Sequence, residues 1–277
     1  MKHLFPIVCG LLLLVSCQDT EFQATEEVFA LRSLHTGRDY EMTVLLPPGY
    51  STTQTYPTVY LLDGYWHYPG VAAFARRQME KSNLEPLILV GVGYAGIKAN
   101  TLSGVDSIFR VRVFDLTYPT EDDSSSIPGT AFDFRRFLKD ELIPEVENRY
   151  ATSAADRTLM GHSLGGYFAI WEMLTFAEQP LFRNFAAGSP ALFWAEGFLL
   201  DREAEVFNAG TPLPFRLHTT MGSLESVMWN TWFDEFEARL QSRNRTDLDV
   251  TFVRLPQGHT ATAETSFEDG LQHFFGR

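Results

Sequence analysis

The stretch Gly161-His162-Ser163-Leu164-Gly165-Gly166 constrains this chain more than any other. A G-x-S-x-G run placed between a strand and a helix puts its serine on a sharp, strained turn with the Oγ exposed. The turn asks the serine for an unfavourable backbone conformation, and side chains two residues to either side would collide with it. Gly161 and Gly165 remove those side chains. Glycine makes up roughly 7% of residues on average, so the bare pattern turns up by chance in roughly one chain in ten of this length. Its weight therefore depends on a strand before it, a helix after it, an acid and a histidine.

The flanking sequence supplies the strand and the helix. Residues 28–33 and 40–46 read as two strands joined at Thr36-Gly37-Arg38-Asp39, with Pro47-Pro48-Gly49 ending the second. Residues 58–62 form a short β-rich run, 71–81 have helical spacing, and 87–92 are apolar on both faces, as a central parallel strand requires. Residues 132–147 read as an amphipathic helix with Phe134, Phe137, Leu138 and Leu142 on one stripe. A strand at 158–160 runs into the glycine-rich turn, and 165–176 is a helix with so few polar positions that it must be buried. Strands at 185–187, 215–220 and 250–255 follow, with helices at 227–240 and 265–275. This alternation implies an α/β class: a mostly parallel central sheet flanked by helices on both faces. Residues 95–128 read as long, polar and irregular, a length that in a compact domain is usually functional.

The amino terminus reads as a targeting segment. Lys2 is followed by an apolar run over 4–15, too short to span a bilayer, that ends in Leu14-Val15-Ser16-Cys17. The expectation is a lipoprotein signal peptide over 1–16, a lipidated Cys17, a short tether over 17–24 and a single domain over 25–277. The protein is then exported and lipid-anchored to a bacterial cell envelope membrane. Cys9 leaves with the signal, so the mature chain has no internal disulfide and depends on its core, which 45% hydrophobic residues can supply. The net charge of −13 argues against nucleic acid and anionic lipid surfaces as partners and is compatible with a small-molecule substrate.

The remaining chemistry collects at one edge of the expected sheet. Three histidines follow Ser163, namely His218, His259 and His273. His218 falls inside a strand and His273 on the last helix, whereas His259 falls in a loop (Pro256-Gln257-Gly258-His259) past the carboxyl end of the last strand. Catalytic groups gather at that edge. Glu225 is the first carboxylate after the 215–220 strand and is the candidate acid, with Asp234, Glu235, Glu237, Asp247 and Asp249 as competitors. An oxyanion would need two backbone N–H groups. Leu164, next after the serine, offers one, and Tyr65, past the Asp63-Gly64 strand exit, offers the other. Trp66, Tyr94, Trp194 and Trp229 are candidates for a substrate wall, as are Tyr65, Phe193 and Trp232. No His/Cys/Asp spacing calls for a metal, and no cofactor is expected.

With these residues in place the chain resembles the putative-esterase family of α/β-hydrolases, which includes enterochelin-esterase-like, esterase-D-like and feruloyl-esterase-like enzymes. The matching stretches run in family order: Tyr60 to Gly64, Val90 to Tyr94, Arg112 to Thr117, Phe137 to Pro144, Gly161 to Gly166, Ser189-Pro190 and Gly258-His259. The resemblance implies an α/β-hydrolase fold and a serine esterase acting on small esters of siderophore, feruloyl or acetyl type. Ser163 would be the nucleophile, His259 the base, and the Gly64-Tyr65 turn part of the oxyanion site. It implies Glu225 as the acid less directly, because family members differ there. Acyl transfer on the same residues is the alternative within enzymes, and a non-catalytic binding lipoprotein is the alternative outside them. Arg112 and Asp115, three residues apart, are expected to pair with each other as a latch.

Overall fold

The apolar run expected as a central strand becomes strand β4 (Ile88–Tyr94), buried on both faces up to its last residue. It sits in one eight-stranded sheet with β1 (Glu26–Arg32), β2 (Asp39–Leu45), β3 (Tyr56–Leu62), β5 (Thr152–His162), β6 (Asn184–Gly188), β7 (Arg216–Gly222) and β8 (Asp249–Leu255). The order across the sheet is β1-β2-β4-β3-β5-β6-β7-β8. β1 and β2 pair antiparallel with each other, and β2 pairs antiparallel with β4. Every pairing from β4 to β8 is parallel. This is the α/β-hydrolase fold. The computed structural model describes residues 25–97, 101–118 and 129–277, so the expected signal peptide, Cys17 and the 17–24 tether lie outside the described residues.

Strand alternation divides the core in two. On one face Val59, Leu61 and Leu89 join Val71 and Ala75 of α1 (Gly64–Glu80) and Phe267 and Leu271 of α8 (His259–Phe275). On the other, Tyr60, Leu62 and Val90 meet Phe134 and Phe137 of α3 (Ala131–Phe137) and Phe168 and Trp171 of α5 (Leu164–Thr175). Parallel strands covered on both sides read as continuous apolar runs, which is why they were visible in the sequence.

Several elements depart from expectation. α6 (Phe198–Asn208) falls where no helix was expected, and α1 begins at Gly64 and not near 71. The segment expected to be irregular contains α2 (Leu102–Leu116), capped by Thr101, whose side chain accepts from the Gly104 N–H at 3.1 Å. Its buried face includes Arg112 and Asp115 beside Ile108, Val113 and Leu116, so two charges interrupt the apolar stripe that would have announced a helix. The helix expected at 132–147 spans α3 and α4 (Ile143–Arg149) with a π turn, Leu138–Leu142, between them. Pro144 has no N–H to give to a carbonyl four residues back, and the Ile143 N–H reaches Leu138 O instead, widening the turn. The last helix begins at His259 and not near 265, so the candidate base stands on a helix terminus and not in a loop.

Candidate active site

β5 delivers the turn that carries the candidate nucleophile. Leu159 and Met160 are fully buried, the strand ends at His162, and Ser163 takes φ 61° and ψ −115° before α5 starts at Leu164. A Cβ on Gly161 would stand 2.3 Å from the carbonyl carbon and oxygen of Gly165. The expected clash at Gly165 itself is not found, because a Cβ there would meet nothing closer than 3.5 Å. Gly161 is thus the residue that must lack a side chain, and Gly165 supplies the backbone that would collide with one. The turn is pinned by its main chain: Ser163 N–H donates to Gly188 O at 2.9 Å, and Ser163 O accepts from Tyr167 and Ala191. Gly161→Ala forces backbone apart and should cost about 3 kcal/mol. Urea unfolding reads that loss as a lower midpoint, and an unchanged midpoint would contradict the packing described.

A second corner lies beside it. β3 ends at Leu62, Asp63 adopts the left-handed region (φ 56°), and α1 starts at Gly64. A Cβ on Gly64 would come within 2.7 Å of Gly91 C, so the corner is pressed onto β4. Asp63 Oδ1 accepts from Arg112 Nε at 2.8 Å and from the Tyr65 hydroxyl at 2.9 Å, with the Arg112 and Asp63 side chains 8% and 1% exposed. Burial pushes the Tyr65 phenol upward, so it stays a donor. Arg112 therefore does not latch onto Asp115. Asp115 accepts from the Tyr40 hydroxyl at 2.7 Å and pairs with Arg38 at 3.3 Å, because the two side chains leave α2 toward different neighbours. β3 and β5 are adjacent and parallel, so α1 and α5 start at the same edge of the sheet, beside each other. First-turn N–H groups have no intrahelical acceptor, and helix N-termini favour negative charge. Tyr65 and Leu164 sit in those two first turns.

The candidate acid and base approach from β7 and β8. Glu225 follows the end of β7 at Gly222, and its side chain is 1% exposed. His259 Nδ1 lies 2.7 Å from Glu225 Oε2. Burial works to raise the Glu225 carboxyl, but hydrogen bonds from His259 and Ser189 outweigh it and hold the group below the usual carboxylate range. The five competitors fall elsewhere: Asp234 and Glu237 pair with Arg254, Glu235 with Arg239, Asp247 with Arg245 and Asp249 with Arg216. His218 lies inside β7 against Asp269 and His273, away from this edge.

A cavity of about 540 Å³ joins the two corners, lined by Trp66, His67, Arg112, His162, Ser163, His259, Thr260, Ala261, Ala263 and Glu264. Of the proposed wall, Trp66 lines it under Arg112, 5.5 Å from ring centroid to guanidinium. Trp229 packs on the His259 ring at 4.2 Å. Tyr65, Tyr94, Phe193, Trp194, Trp229 and Trp232 do not line this cavity. Tyr94 packs between Tyr40 and Tyr65 behind the α1 corner, and Trp194 starts a 3-10 turn against the core. Burial lowers His67, and burial together with the charges of His259, His67 and Arg112 drives His162 well below the ordinary histidine range, so both rings are neutral at pH 7. The role of His162 was not legible in advance, since the motif leaves that position open. Among the described residues no cluster of three or more His, Cys, Asp or Glu could hold a metal ion.

Sheet order, strained serine turn and the acid–histidine pair at the carboxyl edge are those of an α/β-hydrolase. Within that class the chain belongs to the esterase family described as Putative esterase, whose model matches residues 33–269. It is 30% identical to the ferri-bacillibactin esterase of Bacillus subtilis over 181 residues, covering 64% of this chain and 62% of that one. It is 26% identical to the apo-salmochelin esterase of Escherichia coli over 177 residues, 61% of this chain and 52% of that one. The alignments thus span less than two thirds of these relatives. Among solved structures, the BES protein of Bacillus cereus superposes with a TM-score of 0.77 at 25% identity, covering 91% of this chain and 96% of that one. An IroE-like serine hydrolase from Shewanella oneidensis also gives 0.77, at 23% identity, over 91% of this chain and 80% of that one, and supports the fold.

Proposed function

We propose that this protein is a serine carboxylic-ester hydrolase working through an acyl-enzyme, with Ser163 as nucleophile, His259 as general base and Glu225 as the acid that orients it. The observation that supports this most is the 2.7 Å contact of His259 Nδ1 with Glu225, at a cavity whose wall contains both Ser163 and His259. With Nδ1–H given to Glu225, Nε2 is the nitrogen left to take the Ser163 proton as Oγ attacks an ester carbonyl. The oxyanion that forms is held by the N–H groups of Leu164 and Tyr65, each worth roughly 10²–10³ in rate. Protonated His259 then gives its proton to the leaving alcohol, and water repeats the sequence on the acyl-enzyme.

The activities in the names of its relatives support a siderophore ester as the substrate, ahead of feruloyl or acetyl decorations. Of the charges lining the cavity, Arg112 is neutralised by Asp63, while Glu264 makes no ion pair among the described residues. That balance favours neutral acyl groups over anionic ones. Incubating the protein with a cyclic catechol-amide trilactone and with a feruloyl sugar ester, each with and without an added alcohol acceptor, tests both points. The trilactone should open fastest, with free acid as product. A mainly transesterified product would make the protein an acyltransferase.

We also propose export and anchoring through a lipidated Cys17, supported by the apolar run and Leu14-Val15-Ser16-Cys17. Radiolabelled palmitate should enter the wild type and not a Cys17→Ser variant. Equal labelling would refute the anchor.

A further inference from the structure

Behind the acid and base lies a set of buried hydroxyls that the mechanism above does not use. Ser189 follows β6 with φ 39° and is fully buried, as is Thr262 in the first turn of α8. Ser189 Oγ is 2.5 Å from Glu225 Oε1, an oxygen that also accepts from the Gly222 N–H at 3.1 Å. Thr262 Oγ1 is 2.7 Å from the carbonyl oxygen of His259, 3.1 Å from Ser189 Oγ and 3.2 Å from His162 Nε2. The His162 ring in turn lies 4.7 Å from the His259 ring.

Counting protons orients these contacts. An ionised Glu225 only accepts, so Ser189 must spend its single O–H on Oε1. The His259 carbonyl only accepts, so Thr262 must spend its O–H there. The 3.1 Å approach of the two hydroxyl oxygens then carries no proton and is a packing contact. Thr262 oxygen is free to accept, and neutral His162 carries its one proton on Nε2 to donate to it. One donor series therefore runs from His162, beside the nucleophile, through Thr262 to the main chain of His259. A second runs from Ser189 to the acid. All three side chains are at most 5% exposed, so water does not compete for these bonds.

We infer that Ser189, Thr262 and His162 are positioning residues that fix the acid and base against the nucleophile: Ser189 holds and aims the Glu225 carboxyl, and Thr262 ties the main chain of His259 to the serine turn through His162. This rests on the Ser163–His259–Glu225 reading. A hydrogen bond to a carboxylate is among the stronger ones and favours the charged form. Without the Ser189 hydroxyl the carboxylate becomes more basic and holds the His259 imidazolium more tightly. The titration of His259 then moves to higher pH, and the acid limb of kcat/KM moves with it. The other titratable or charged groups around the pair are His162 at the end of β5, His67 on α1, Arg112 on α2 and Glu264 on α8. None of them is changed in the test.

The experiment compares wild type with Ser189→Ala, Thr262→Val and Thr262→Ser. It measures the pH profile of kcat/KM on a p-nitrophenyl ester, the NMR titration of the His259 ring, and thermal unfolding. For Ser189→Ala we expect kcat about 10–100-fold lower at unchanged KM, and both the acid limb and the NMR titration about half to one unit higher. Thr262→Val should lower kcat by about tenfold, and Thr262→Ser should restore it. A Ser189→Ala protein with wild-type kcat and titration overturns the inference. So does lost activity with an unmoved His259 titration, which would mark a purely structural role. The NMR titration needs no turnover. If wild type hydrolyses no ester yet Ser189→Ala shifts His259, the esterase reading fails and the brace stands.

Discussion

Ser163→Ala should lower kcat/KM for an aryl ester by about 10⁴–10⁶-fold while leaving the fold in place. The turn is held by the main chain of residue 163, through Gly188, Tyr167 and Ala191, and alanine makes the same three bonds. The first-turn amides at Tyr65 and Leu164 are likewise untouched, so a residual rate above that of water should survive from oxyanion stabilisation alone. Stopped assays on wild type and variant, with circular dichroism as the control for folding, measure the drop. A variant that retains even a tenth of the wild-type rate would mean that another group does the chemistry.

Glu225→Ala should cost about 10³–10⁴-fold in kcat, more than an orienting residue outside the acid–base pair could account for. The loss has two parts. His259 is freed to adopt the wrong tautomer, and Ser189 Oγ and the Gly222 N–H lose their shared acceptor. The charge itself can be isolated with Glu225→Gln and a pH series. The folded-state carboxyl lies below its unfolded value, so its contribution to stability is present above about pH 4.3 and is lost as pH falls through the lowered folded value. Wild type should lose unfolding free energy over that acid window, and Glu225→Gln should lose less. Parallel stability curves would show that the carboxylate is not specially stabilised in the fold.

What could be read in advance followed from repetition and from position. The strands at the sheet centre are buried on both faces and announce themselves as unbroken apolar runs. That Glu225 and His259 would meet was legible because the carboxyl edge of a parallel sheet limits which residues can come together, and the two lie 2.7 Å apart. The helix at Leu102–Leu116 was hidden because Arg112 and Asp115 occupy its buried face, neutralised by Asp63 and Arg38 from elsewhere in the chain. No periodicity reports a partner 49 residues away. The start of α8 was hidden because Thr260 to Glu264 offers little apolar spacing, although Ala263 is buried. Tyr94, Trp194 and Trp229 were grouped with Trp66 on aromatic character alone, and only packing shows that Trp66 of these four lines the cavity. Ser189 stood in a family-matching stretch and Thr262 in none, but neither showed what it bonds, since a hydroxyl reveals its acceptor only in three dimensions.

The central claim is that Ser163 is the nucleophile, and its most direct test is covalent. The protein treated with diisopropyl fluorophosphate should lose esterase activity in proportion to label bound, at one phosphoryl group per chain. Peptide mass spectrometry should place that group on Ser163, and labelling should be slowed at least 100-fold in His259→Ala, which lacks the base. Ester hydrolysis that continues in fully treated protein, or a label found on a residue other than Ser163, would contradict the account.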